Sequence, residues 1–159
     1  MKPNEVKELA DRLEDLLPQT QCTKCGYPDC RGYAQALAKA LSEKGFDLVT
    51  GGTDNHLILI DVTPRGITGK PAARALHEAG IECNYNTIPF DPRKPFDPSG
   101  LRIGTPSITS RGMTEKDMEP IAVWIDRVLR VADDREKLHG IRAEIAEFCK
   151  AFPAPGIRV

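Results

Sequence analysis

No apolar run in this sequence approaches the roughly 20 residues that a membrane-spanning helix needs, so a membrane span is not expected. An excess of one charge is missing too. The 22 Lys and Arg residues stand against 23 Asp and Glu, for a net charge of −1, and no basic or acidic block stands out. Non-specific attraction to nucleic acid or to a membrane surface is therefore not supported. Internal repeats and low-complexity tracts are absent, which argues against a repeat array or a biased linker. At the N-terminus, acidic residues and a helical pattern stand where a secretory signal would place a basic segment, an apolar core and a cleavage site. The expected location is the cytoplasm. There, the five cysteines are expected to be thiols or metal ligands and not disulfides.

What is present suits one domain, or one domain with a small appendage: 159 residues, 40% hydrophobic and 28% charged. Val6, Leu9, Leu13, Leu16 and Leu17 recur at three- and four-residue steps, which predicts a helix over 4–17 with Asn4 as N-cap and Pro18 as its end. A second helix is expected over 31–44, with Tyr33, Leu37 and Leu41 on one face and Gly45 as its stop. Leu57-Ile58-Leu59-Ile60-Asp61-Val62 reads as a well-buried strand. A third helix opens near Thr68 as cap, packs through Ala72, Ala73, Leu76 and Ala79, and stops at Gly80. Residues 81–88 and 101–108 read as strands. The proline-rich stretch between them should be rigid and irregular, because proline fixes φ and removes a donor. Thr114 to Asp117 begin a long amphipathic helix with Ile121, Trp124, Ile125, Val128 and Leu129 inward, and a last helix is expected over 135–152. Cys83 and Cys149 read as buried small apolar residues. His56 reads as a structural residue hydrogen-bonded to backbone, and Trp124 as core.

Cys22, Cys25 and Cys30 follow one another as Cys-x2-Cys-x4-Cys. Thiolates at short intervals in a loop bind one cluster because the loop curls and presents its sulfurs inward. The string Leu16-Leu17-Pro18-Gln19-Thr20-Gln21-Cys22-Thr23-Lys24-Cys25-Gly26-Tyr27-Pro28-Asp29-Cys30 resembles the N-terminal four-cysteine module of the Rnf/Rsx electron-transport complex B subunit. That module carries a 4Fe-4S cluster. The family's fourth cysteine has no counterpart, since its region here is Lys44-Gly45-Phe46-Asp47-Leu48. Three readings stay open: an unmetallated loop, a zinc or other metal site, and a 4Fe-4S cluster with an incomplete ligand set that either leaves one iron open or borrows a ligand such as Cys83.

Longer strings carry a second resemblance. They are Leu48-Val49-Thr50-Gly51-Gly52-Thr53-Asp54-Asn55-His56-Leu57, Gly66-Ile67-Thr68-Gly69-Lys70, Asn84-Tyr85-Asn86-Thr87-Ile88-Pro89-Phe90-Asp91-Pro92, Ser99-Gly100-Leu101-Arg102-Ile103-Gly104-Thr105-Pro106 and Thr109-Ser110-Arg111-Gly112-Met113. From about Ala36 onward the chain resembles the C-terminal small domain of serine hydroxymethyltransferase, a fold-type I pyridoxal-phosphate enzyme that moves one carbon between serine and tetrahydrofolate. The resemblance implies an α/β fold with a small, mostly antiparallel sheet and packed helices, to which the N-terminal residues are expected to add a helical hairpin carrying the cysteine loop. It implies that Arg102 clamps the substrate carboxylate, with Gly100 and Gly104 keeping the backbone close, and that Asn86 hydrogen-bonds the folate pterin. A planar guanidinium suits a carboxylate because it makes two parallel charge-assisted bonds that lysine cannot copy. An amide suits the ring because it both donates and accepts. Outside such strings, a lone strand arginine is ordinarily a surface ion-pair partner and a lone asparagine near a turn ordinarily structural.

The same resemblance marks what is missing. The lysine that forms the Schiff base with pyridoxal phosphate has no matching string, and Lys39, Lys44 and Lys70 lie in helical or capping contexts. The family's phosphate-binding loop, the aspartate that pairs with the pyridine nitrogen and the histidine that stacks on the ring are absent as well. Residues 1–35 are thus expected to form an iron–sulfur-like segment and 36–159 a transferase small domain, joined through one alanine-rich helix. The expected function is that of a serine hydroxymethyltransferase-like small domain that does not catalyse alone, and pyridoxal phosphate is not expected to bind it alone. The alternatives are an Rnf-type electron-transfer module and a subunit that completes a separate large-domain chain. Expected partners are that large domain or a second copy, because a small domain on its own should leave an apolar patch exposed.

Overall fold

The computed structural model describes residues 31–156. The helix expected over 4–17 and the loop bearing Cys22, Cys25 and Cys30 lie outside the described residues. The chain runs through helix α1 (Arg31–Glu43), strands β1 (Asp47–Leu48) and β2 (Leu57–Asp61), a 3-10 turn (Thr63–Arg65), helix α2 (Gly69–Glu78) and strands β3 (Asn84–Asn86) and β4 (Gly100–Gly104). Helix α3 (Pro106–Ser110), a second 3-10 turn (Glu115–Asp117), α4 (Met118–Arg130) and α5 (Arg135–Cys149) follow. The strands form one sheet in the order β1-β2-β4-β3, every pair antiparallel, so the α/β expectation holds.

Strand alternation sorts the side chains onto two faces. Ile58 and Ile60 on β2 and Leu101 and Ile103 on β4 are buried, and with Leu37, Leu41, Leu76, Ile125 and Val128 from the helices they make the core. Leu57 and Leu59 point the other way, so β2 buries one face and not both. Register places Leu59 and Asn84 on either side of Arg102, on this outer face. Helices α1 and α2 both pack on α4, which packs in turn on α5. Gly45 and Gly80, the expected helix stops, have φ of 77° and 89°.

Several sequence expectations shift for local reasons. The strand expected over 101–108 ends at Gly104, because Pro106 opens α3 at a position where its missing N–H costs nothing. The strand expected over 81–88 narrows to Asn84–Asn86, since Asn86 already faces Gly100, the first residue of β4. The last helix stops at Cys149 and gives way to a turn before Phe152. Thr68 precedes α2 but does not cap it with its side chain; its hydroxyl donates to Asp97 Oδ1 at 2.7 Å. Trp124 is half-buried, edge-on to Phe148 at 5.1 Å, with its indole N–H donating to Glu144 at 3.3 Å. The polar edge of indole needs a partner, and the α4–α5 rim provides one. Cys83 and Cys149 are half-buried, not fully buried. His56 is half-buried and enters the structure through its backbone, its carbonyl accepting from Thr105 N at 3.1 Å.

The exposed large apolar side chains are Leu57, Tyr85, Phe90 and Phe96. Phe90 is 102% exposed and holds φ at 57°, the left-handed region. A side chain there costs about 1–2 kcal/mol through the clash of Cβ with the following carbonyl. Phe90 is too exposed to gain packing from the described residues that would offset that cost, so Phe90→Gly should raise stability by about 1 kcal/mol in urea unfolding. A loss of stability would mean that the phenyl ring packs against this chain.

Candidate functional site

Arg102 and Asn86, both singled out through the same family resemblance, line the same cleft. Its volume is about 810 Å³, and its walls come from α1 (Gln35, Lys39), the loop through Thr53 and Asn55, and the outer side of β2. Arg102 is exposed, and its guanidinium has no hydrogen bond or ion pair among the described residues. Most arginines of this chain are engaged: Arg65 pairs with Asp126, Arg93 with Asp97, Arg127 with Glu144 and Arg130 with Asp126. Arg102 is therefore not the surface ion-pair arginine that an isolated strand position would suggest. Five donors of fixed geometry face the cleft without an acceptor. Asn86 donates once, from Nδ2 to Thr87 O at 2.8 Å, which leaves its carbonyl oxygen and a second N–H free.

The backbone beneath these two side chains is held by contacts that leave no room. A Cβ on Gly100 would meet Asn86 O and the Ile88 Cγ2 methyl, both at 2.7 Å. A Cβ on Gly104 would lie 3.2 Å from Leu57 Cδ2. Strand β4 can thus approach β3 this closely only with glycine at position 100, and at position 104 a side chain would press on Leu57.

Asp91 fixes the proline-rich loop. Its carboxylate accepts from Ser99 Oγ (2.8 Å), Arg93 N (2.9 Å), Ser99 N (3.0 Å) and Ile88 N (3.2 Å), and so closes the loop at both ends. Burial works against the charge. The bonds from Ser99, Arg93 and Ile88 outweigh it and hold the carboxyl at about 2, below its ordinary 3.8. Asp97 binds the other side of the loop. Thr68 and Arg93 donate to it and keep its carboxyl below the ordinary range. Sequence reasoning missed this clamp, although Asp91-Pro92 is a turn-initiating pair whose aspartate bonds its own backbone two residues on.

The floor of the cleft is equally local. Thr53 Oγ1 donates to Leu57 O at 2.5 Å, Leu57 N donates to Asn55 Oδ1 at 2.7 Å, and Arg31 Nε donates to Asp54 O at 2.7 Å. The first two bonds use small polar residues of the Gly51-Gly52-Thr53-Asp54-Asn55 string on neighbouring backbone, and the third ties the string to Arg31 at the start of α1.

The residues present do not fit pyridoxal phosphate by themselves. The cleft-lining lysine, Lys39, is 78% exposed and stands 3.9 Å from Glu43. A Schiff-base lysine needs a desolvated or cation-flanked setting that supplies the free amine, and this one has neither. For metal, no group of three or more ligating side chains occurs among the described residues. Burial, with the neighbouring Glu82 charge, pushes the Cys83 thiol up to about 12.

The Asp91 clamp gives a testable pH signature. Its folded pKa is depressed, so its contribution is fully present above the unfolded value of about 3.9 and is lost as pH falls through about 2. In an acid titration by NMR, the Ser99 and Ile88 amides should keep their shifts through pH 3.9 and move with a midpoint near 2. In Asp91→Asn the same amides should sit at altered positions already at neutral pH. A midpoint near 3.9 in the wild type would mean that the clamp is not formed.

Known proteins carry the same stretch. The sequence model described as "Serine hydroxymethyltransferase" matches residues 27–125. A serine hydroxymethyltransferase of Sorangium cellulosum is 64% identical over 126 residues, covering 79% of this chain and 30% of the relative. Those of Acidothermus cellulolyticus and Desulfotalea psychrophila are 54% and 53% identical, over 82% and 78% of this chain and 34% and 29% of theirs. The chain thus spans about a third of the length of the curated relatives it matches. The matched stretch contains β1 to β4 and the cleft with Arg102 and Asn86, and the chain belongs to the serine hydroxymethyltransferase family.

Proposed function

We propose that this chain supplies the amino-acid-carboxylate and folate side of a serine hydroxymethyltransferase-type site and does not catalyse alone. The observation that carries the reading is Arg102: a guanidinium without a partner among the described residues, on a backbone held by glycines, in one cleft with the half-free amide of Asn86. Arg102 would take a substrate carboxylate through two parallel N–H bonds, and Asn86 would pair with the folate ring. Binding of this kind orients a substrate but does not by itself lower a barrier. The cofactor and its lysine would come from the two-thirds of the relatives' length that this chain does not span. They would sit on a large domain facing the outer side of the sheet, and the location would be cytoplasmic. The division into residues 1–35 and 36–159 belongs to the same proposal.

The test combines the pure chain with a separately purified large-domain segment of a relative, pyridoxal phosphate, serine and tetrahydrofolate. The pure chain with cofactor should cleave no serine, and the mixture should. Arg102→Lys should raise the serine KM of the mixture about 10- to 100-fold, the worth of a charge-assisted bond. Serine cleavage by the pure chain would overturn the proposed division of labour. Unchanged kinetics with Arg102→Lys would overturn the role of the arginine.

A second reading rests on the Cys22, Cys25 and Cys30 spacing: an Rnf-type electron-transfer segment holding a 4Fe-4S cluster. Anaerobic reconstitution should then give a visible band that Cys25→Ser abolishes, and a colourless product would remove this reading.

A further inference from the structure

A second cleft, with a volume of about 930 Å³, opens beyond the β3 edge of the sheet, between α2 and α5. Its lining is strongly cationic. Arg74 from α2 and Arg135 and Arg142 from α5 stand around one lining carboxylate, Glu78. His77 also lines it and faces Glu82, Nδ1 to Oε1 at 2.8 Å.

The three arginines are in different states. Arg142 Nη1 donates to the Glu78 carbonyl at 3.0 Å, which fixes its fork over the C-terminal end of α2. Arg135 Nε reaches Glu78 Oε1 at 3.1 Å, and His139 Nε2 lies 3.4 Å from the same oxygen. Arg74 has no hydrogen bond or ion pair among the described residues. A guanidinium carries five donors, so most of the N–H groups of all three remain open. The half-exposed ring of Tyr85 and the half-buried Cys83 form the apolar wall beside them. Neither the Asn84 amide nor the Tyr85 hydroxyl is bonded by its side chain among the described residues.

We propose that this cleft binds a small, multiply charged oxyanion, either a phosphate monoester or a polycarboxylate. Each oxyanion would take paired N–H bonds from Arg74 and from the forks that Glu78 already holds in place. That pre-placement reduces the entropy lost on binding. The volume lies within the roughly 300–1,000 Å³ range of small-ligand sites. The chain as a whole is close to neutral, so the cation excess is a property of the cleft and not of the surface at large. The proposal does not depend on the role given to Arg102.

The test titrates the full chain with inorganic phosphate and, separately, with tricarballylate at constant ionic strength, with sodium chloride as control, following amide shifts by NMR. His77, Cys83 and Tyr85 should move saturably with phosphate, with tricarballylate or with both, and not with chloride. Which anion saturates identifies the oxyanion class. Arg74→Ala should weaken binding at least tenfold without altering the rest of the spectrum, because Arg74 has no partner to lose. Absence of saturation would overturn the proposal, as would equal affinity in Arg74→Ala. Shifts confined to Thr53, Asn55 and Leu59 would overturn it too, and would assign the anion to the Arg102 cleft.

Discussion

The structure depends on one backbone-to-backbone approach. Gly69 N donates to Pro98 O at 2.7 Å, and a Cβ on Gly69 would strike both Pro98 O and Gly100 O. Gly100 has the same lack of room on its other side, against Asn86 O. The start of α2, the end of the proline-rich loop and the edge pair β3–β4 therefore approach main chain to main chain at the two glycines. The placement of Asn86 and Arg102 follows from this contact. Asn86 stands opposite Gly100, Arg102 lies two residues along β4, and alternation sends Arg102 to the face away from the core. Asp91 and Asp97 then tie the intervening loop to the same point.

A second constraint holds the helices. Arg65 lies over the Phe46 ring at 3.9 Å, donates to Lys44 O and pairs with Asp126. Burial raises the Asp126 carboxyl, but bonds from Arg130 and Arg65 more than offset this and leave it lowered. Ion pairs this enclosed are weak contributors to net stability, because desolvation offsets the attraction. Their effect is on geometry: the end of α1, the turn after β2 and α4 are fixed relative to one another. Arg111 does the same at the far end, donating to Phe152 O at 2.7 Å and so closing the last turn onto α3. These charged groups have partners, whereas Arg102 and Arg74 have none among the described residues.

What the sequence made legible follows its periodicities. Leu57 to Ile60 announced a strand, Leu37 and Leu41 a helix face, and Gly45 and Gly80 the stops, because each is decided by neighbours within one or two turns. Arg102 and Asn86 were legible through matched strings, and the fold places them in one cleft. The failures lie where distant groups compete for a residue. Thr68 reads as a cap, but Asp97, 29 residues on, takes its hydroxyl. Trp124 reads as core, but Glu144 on α5 draws its indole to the rim. Pro106 ended a strand that the apolar pattern alone would have carried on. The second cleft was invisible because Arg74 and Arg142 lie far apart in sequence and only the α2–α5 packing brings them together.

The central proposal is that Arg102, without a partner among the described residues, takes a carboxylate. The most direct measurement is the Arg102 Nε resonance, assigned through Arg102→Lys and followed as glycine and then methylamine are added to the full chain. The account predicts a saturable shift with glycine and none with methylamine, which lacks the carboxylate. A resonance that ignores glycine, or one that moves equally with both, would contradict it.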